Sequence, residues 1–366
     1  MPTVYYDSSA TGAGDGTSEA DAYTDLQTAL NSLSAGDHLY CKRAGSREGV
    51  KTTNLTFTTS ATTGGPTIIE GYETTPGDGG MYQTASPVLI TGEHVLLKYF
   101  DVDKDDDSTN AIQISGDCSV AYRCKATSTY SFGNCFSVLD AAVIECAAYA
   151  ACSGSGDGCF ETQRGWMVGC YAEITDGADG AAITLQTGFR SNACVGCVCN
   201  NSGTGTNNSG IQINGSNNLG GNVIANNTIY NVANGIVDTE GAREVHSLPN
   251  IFYGNLLYNV GNGIINSQGT NVTELCQYNF ANAYGSVTTA QTTNLSNVDD
   301  HAVTLTSSPF IDTTDFRLNN DPNGGALLKG LLGPPDVKDL ESALRVSFST
   351  HGAMTPRPLA EIARSL

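Results

Sequence analysis

Asn134-Cys135-Phe136, Gly158-Cys159-Phe160, Ala182-Ile183-Thr184, Gly210-Ile211-Gln212, Gly235-Ile236-Val237 and Gly263-Ile264-Ile265 follow one another at steps of 24, 24, 28, 25 and 28 residues. A second series, Cys124, Cys146, Cys170 and Cys197, recurs at 22, 24 and 27 residues and continues in phase as Asn226, Asn255 and Asn279. Ile112 and Phe100 extend the two series back to about residue 95. The series interleave, so each period holds at least two short strands separated by turns rich in Gly, Asn, Asp and Ser. A unit this short cannot bury a face alone and must stack on its neighbours. The expectation is an all-β parallel solenoid of nine or ten coils, right-handed as parallel crossovers are. Coils about 4.8 Å apart place equivalent residues directly over one another.

Stacking explains the composition. Of 30 Asn, 22 lie between Asn200 and Asn297. A stacked Asn hydrogen-bonds to its counterparts above and below and tolerates the left-handed corner of a tight turn. Cysteine fills the same column in the first half, so the twelve cysteines read as a repeat register of buried thiols and not as a disulfide framework. Cys194-x-x-Cys197-x-Cys199 has the spacing of half a zinc site, but no further Cys or His follows until His246, so a closed metal set is not expected.

Charged residues make up 15% of the 366 positions, apolar residues 40%, and 37 acidic against 17 basic side chains leave a net charge of −20. Such a surface repels phosphate backbones and anionic lipid headgroups, so neither nucleic acid nor membrane is an expected partner. The opening residues Met1 to Asp7 lack a basic, then apolar, leader, and no apolar run approaches the roughly 20 residues of a membrane helix. The expected setting is therefore a chain made in the cytosol, with an extracellular protein whose leader was trimmed as the alternative.

Solenoid ends expose strand edges and need closing. Leu26, Ala29, Leu30 and Leu33 fall at helical spacing within Tyr23 to Leu33, an amphipathic helix expected to plug the N-terminal end. After Asp299 the period fades. Asp336 to Phe348 shows helical spacing of Val337, Leu340, Leu344 and Phe348, and Pro358 to Leu366 reads as a second helix. The expected division is residues 1–45 as N-terminal strand and capping helix, 46–300 as the solenoid, and 301–366 as a C-terminal cap and docking tail.

Tyr5-Tyr6-Asp7 with Gly12 to Ser18, Asp25-Leu26-Gln27-Thr28-Ala29-Leu30 and Ala35-Gly36-Asp37-His38-Leu39-Tyr40 resemble the opening segment of pectin-lyase-like right-handed β-helix proteins. Thr67 to Tyr72 is similar to their first complete coil, and Ser308-Pro309-Phe310 through Leu318 to the way many bacterial and phage members close. The resemblance covers roughly residues 3 to 330. It implies the fold but spans lyases, hydrolases, tailspikes and structural modules, so function has to come from a site.

Lyase chemistry needs carboxylates that hold calcium and a basic residue to take the α-proton. Arg243 is the only Lys or Arg between Arg190 and Arg317, and the family's Arg-x-Pro-x-x-Arg pattern does not occur. Hydrolysis needs two carboxylates about 5 to 9.5 Å apart. Taken two residues past each anchor, one column reads Ser137, Glu161, Leu185, Ile213, Asp238 and Asn266, with Glu161 and Asp238 three coils apart. The strongest cluster is Asp238, Glu240, Arg243 and His246, where acid, base and cation share a loop. Its bland counterpart is a salt-linked turn. Asp299-Asp300-His301 resembles a catalytic dipeptide, but adjacent strand residues point to opposite faces. Asp101, Asp103 and Asp105 begin like a calcium loop, with Asp106 where Gly is needed and Ile112 where the bidentate Glu should be, so no cofactor is expected, with weak calcium binding at that corner as the alternative.

The function expected is a structural and binding β-helix on a virion, such as a phage spike, fibre or capsid decoration. It would meet a glycan or other host-surface receptor laterally and other virion proteins through its C-terminal segment. Likeness to tailspikes implies a homotrimer. A polysaccharide lyase or glycoside hydrolase, and a bacterial adhesin, are the alternatives.

Overall fold

Val95–Lys98, Phe100–Lys104 and Ile112–Ile114 form one turn of the chain, and Val120–Tyr122, Lys125–Ser128 and Phe136–Leu139 the next. About seven such turns stack, the last ending in the fused strand Leu256–Asn266. All strand pairs in the two large sheets are parallel. The first strands build a 10-stranded sheet that also takes in Thr3–Tyr6, His38–Lys42 and Thr67–Tyr72, and the second and third strands build an 18-stranded one. This computed structural model describes residues 2–329 except 50–52, 62–64, 105–109, 130–132, 152–157, 176–179, 187–191, 204–207, 216–220, 240–249, 268–271, 274–281, 294, 297–301 and 314. The expected helices at Asp336 to Phe348 and Pro358 to Leu366 lie outside the described residues.

The core is a set of columns. Leu97, Ala121, Val143, Met167, Cys194 and Ile224 lie one above the other inside the first sheet, each 0% exposed. Phe136, Phe160, Ile183, Ile211, Ile236 and Ile264 do the same inside the third strands. This register corrects the sequence alignment by one residue. Ile183 stacks on Phe160, not on Cys159, because Cys and Phe are both apolar and the pattern did not say which faces inward. Ser137 and Glu161 therefore belong to the outward column with Thr184 and Gln212, whereas Asp238 continues the inward column Val138, Thr162, Leu185 and Ile213.

Between first and second strands the chain turns a sharp corner. Tyr99, Arg123, Glu145, Gly169, Gly196, Asn226 and Gly254 occupy it with φ between 51° and 66°. The non-glycine members each give up about 1 kcal/mol there. Main-chain bonds between turns offset the cost, among them Arg123 N–H to Ile144 O at 3.0 Å and Glu145 N–H to Val168 O at 2.9 Å. The residue after the corner forms the polar ladder Cys124, Cys146, Cys170, Cys197, Asn227, Asn255 and Asn282. The expected members Asn226 and Asn279 are thus replaced: Asn226 is the corner residue itself, and Asn279 lies outside the described residues. A second buried ladder joins Asn192, Asn222 and Asn250, with Asn192 N–H donating to Asn222 Oδ1 at 2.9 Å and Asn222 N–H to Asn250 Oδ1 at 3.0 Å.

The first helix spans Leu26–Ser32, shorter than the sequence spacing predicts. Asp25 starts it by accepting the Thr28 N–H at 2.7 Å. Leu26, Ala29 and Leu30 are buried in the main core cluster. At the other end, residues after Val303–Leu305 fold back over the outside of the second strands. Phe310 and Phe316 meet Tyr230 edge-to-face at 5.7 and 5.4 Å, and with Val198, Leu256, Ala283, Leu305 and Leu328 they form a second apolar cluster outside the solenoid.

Candidate functional site

The outward side of the second strands collects the chemistry. Positions one and three after each ladder residue form two columns. One runs Asp101, Lys125, Ala147, Tyr171, Val198 and Thr228; the other runs Asp103, Thr127, Tyr149, Glu173, Asn200 and Tyr230. The C-terminal segment covers the Tyr230 end, as its rings pack there.

At the other end Arg47 lies between the two aspartates of the expected calcium loop. Its Nη2 meets Asp101 Oδ2 at 3.1 Å, its Nε meets Asp103 Oδ2 at 3.6 Å, and Nη1 donates to the Asp101 main-chain oxygen at 2.8 Å. Gln83 Nε2 also donates to Asp101 Oδ2 at 3.1 Å. A guanidinium thus supplies the positive charge that the sequence reading assigned to calcium. Asp105 lies outside the described residues. Asp101 Oδ1 is buried and has no hydrogen-bond partner among the described residues.

Toward the middle, Lys125 Nζ sits 5.5 Å from the centre of the Tyr149 ring. Burial, and then the charge of Glu173, push the Tyr149 phenol above its ordinary pKa. Tyr171 donates its hydroxyl to Glu173 Oε2 at 2.7 Å, and burial with that bond raises its pKa too. Both phenols therefore stay neutral donors at physiological pH. Asn200 is buried, and its Oδ1 is a second acceptor without a partner among the described residues. Ring faces, a cation and the Glu173 carboxylate along one strip suit a polyhydroxylated ligand, whose hydroxyls meet the polar groups while its apolar faces lie on the rings.

Asp238 is not on this face. It is fully buried within the solenoid, with Asn250 Nδ2 at 3.5 Å from Oδ2. An acid enclosed in that column meets no polymer at the surface. Glu240, Arg243 and His246, and likewise Asp299-Asp300-His301, lie outside the described residues. Cys194, Cys197 and Cys199 are buried, and no group of three or more His, Cys, Asp or Glu stands ready to hold a metal among the described residues. Sequence reading missed Arg47, Lys125, Tyr149, Tyr171, Glu173 and Asn200. The signal was present, because the positions one and three beyond each ladder residue are fixed by the period.

Stacked parallel turns, inward columns and a lateral site share one architecture. The chain has the pectate lyase-like β-helix fold. It is similar to the crystal structure of pectate lyase Pel9A, with a TM-score of 0.56 and 16% identity over 96% of each chain. It is also similar to the ORF18 protein of Geobacillus virus E2, with a TM-score of 0.50 and 13% identity over 87% of this chain and 64% of that one. At these identities the likeness is one of fold. No family model and no curated protein matches the sequence. No helix among the described residues is long and apolar enough to cross a membrane.

Proposed function

We propose that this is a right-handed β-helix binding protein of a virion surface, closed at its N-terminal end by the helix Leu26–Ser32, that holds a glycan along the outward strip from Asp101 to Asn200 without turning it over. The observation that carries this reading is the strip itself, on which the register between turns sets Lys125, Tyr149, Tyr171 and Glu173 side by side, each half-buried. A viral protein among the structural neighbours supports the particle setting. With −20 on the chain, neutral or amine-bearing glycans fit better than uronates.

A glycan array tests it. The protein should retain neutral or amine-bearing glycans, and Tyr149→Ala or Glu173→Gln should weaken retention at least ~10-fold, the order expected for losing a buried hydrogen bond or ring contact. No retained glycan would overturn the reading. So would a rise in reducing ends or unsaturated products, which would establish the lyase or hydrolase alternative. Mass spectrometry of purified particles checks the setting.

A further inference from the structure

The lateral strip does not stop at Asn200. The column that runs Tyr149, Glu173, Asn200 and Tyr230 continues in register through Tyr258 and Gly285. Tyr230 and Tyr258 lie parallel, their ring centres 6.3 Å apart with 6° between the planes. Gly285 makes room for the second ring, since a Cβ there would come within 2.6 Å of Tyr258 Cδ2. Tyr149 and Tyr171 form a comparable pair nearer the start of the strip, 5.7 Å apart. What distinguishes the later pair is that Phe310 and Phe316 sit on it. Phe310 lies edge-on, 5.7 Å from Tyr230 and 5.9 Å from Tyr258, and Phe316 is 5.4 Å from Tyr230.

The hairpin that carries these two phenyl rings is knitted to itself. Phe310 bridges to Leu318 in antiparallel fashion, Ile311 N–H donates to Arg317 O at 3.0 Å, and Asn319 N–H donates to Pro309 O at 2.8 Å. The Asn319 side chain ties the two arms together. Its Nδ2 donates to Ser308 O at 2.7 Å and to Phe310 O at 2.9 Å, while its Oδ1 accepts the N–H groups of Asp321 and Gly325, both at 3.0 Å. On the Tyr230 side the hairpin meets the solenoid through apolar side chains. Lifting it as one piece leaves these main-chain bonds intact. Burial of two Phe side chains favours the closed form by roughly 10²- to 10⁴-fold, a bias that a ligand can overcome.

We propose that this hairpin is a displaceable cover over a further sugar subsite formed by Tyr230 and Tyr258. The proposal rests on the glycan reading of the strip and fixes the length of its ligand. From Tyr149 to Tyr258 the column runs four stacking intervals, roughly 19 Å. An extended oligosaccharide therefore reaches the covered pair, and a mono- or disaccharide does not. At the subsite the apolar face of a pyranose takes the place of the phenyl edges, and its hydroxyls meet the two phenol groups. A long chain gains those contacts only against the closed bias, so the cover lowers its affinity and leaves that of short glycans untouched.

An array of neutral and amine-bearing glycans of graded length tests this on the full chain. Phe310→Ser combined with Phe316→Ser should raise retention of the long glycans at least ~10-fold and leave mono- and disaccharides unchanged. Adding Tyr258→Ala should abolish the gain, because the ring on which the sugar lies is gone. Asn319→Ala loosens the hairpin while keeping both phenyl rings. It should give a smaller gain in the same direction, and it carries the comparison if the double variant loses its circular dichroism signal. Wild-type retention with no gain in either variant would overturn the cover and leave the glycan strip standing. So would an equal gain for short glycans, or a gain that survives Tyr258→Ala. Retention by none of the proteins would overturn the strip itself, and this inference with it.

Discussion

The side-chain oxygen of Asn227 accepts the main-chain N–H of Cys197 at 2.9 Å, and this bond is where the thiol half of the corner ladder passes into the amide half. Three turns earlier in the thiol half the same role falls to sulfur, as Cys146 Sγ accepts the N–H of Cys124 at 3.2 Å. Each turn leaves one buried N–H at its corner, and the side chain stacked above must satisfy it. Cys and Asn alternate as solutions to one problem. Asn solves it more fully, since Asn227 Nδ2 also donates to Cys194 O at 3.0 Å and to Asn255 Oδ1 at 2.9 Å.

Replacing Asn227 by Leu keeps the volume and strands the Cys197 N–H and the Cys194 carbonyl in the core. The expected loss is roughly 2–5 kcal/mol, the sum of two buried groups left unpaired. Asn227→Cys restores an acceptor and should lose only about 1–2 kcal/mol. Urea unfolding followed by circular dichroism compares them, and equal losses would show that the column is filled for volume alone.

Of the ten described cysteines, only Cys118 is exposed. Burial pushes the Cys41 and Cys199 thiols well above their ordinary pKa, so neither forms a thiolate at neutral pH. Alkylation of the native protein at pH 8, mapped by mass spectrometry, should label Cys118 at least ~100-fold faster than the other nine, which wait for unfolding. Rapid labelling of Cys146 or Cys170 would contradict the buried ladder.

Arg47→Ala removes the cation that Asp101 faces and leaves a carboxylate at 6% side-chain exposure without its partner. Such a loss costs roughly 3–5 kcal/mol for a buried pair, less here because Arg47 is partly exposed. The melting temperature should fall, and millimolar calcium should raise it more in the variant than in the wild type, because Asp101 and Asp103 then share an open position. Calorimetry with and without calcium measures both effects. An equal calcium response in the two proteins would refute the competition.

Glu70 is flanked by His38 Nε2 at 3.0 Å and Lys98 Nζ at 2.9 Å. Burial raises its pKa, but the hydrogen bonds from His38 and Lys98 outweigh burial and hold the carboxyl below its usual value. A depressed folded-state pKa gives stability that is complete above the unfolded value of about 4.3 and is lost as pH falls through the lower folded value. Glu70→Gln should therefore be less stable than wild type at pH 7, with the difference shrinking below about pH 4. A constant difference across that window would rule out the charge as its source.

Periodicity alone made the solenoid legible, because a repeat too short to fold by itself has to stack. It also foretold the thiol and amide columns and the helix at Leu26–Ser32. It did not set the faces. Side chains alternate every residue along a strand, so an error of one in aligning Cys159 with Ile183 placed Glu161 and Asp238 in one column when they lie on opposite sides of the sheet. The same limit hid the lateral strip, whose members are 22 to 27 residues apart in the chain and adjacent only through the register between turns. Nor could sequence show that Arg47, 54 residues before Asp101, would stand where a cation was expected. What this sequence determined by itself is therefore the repeat, its parallel stacking and the residue types that line it. Which side chains face out together, and which of them remain unpaired, was decided only by the tertiary structure, since contacts across turns depend on a register that no local pattern encodes.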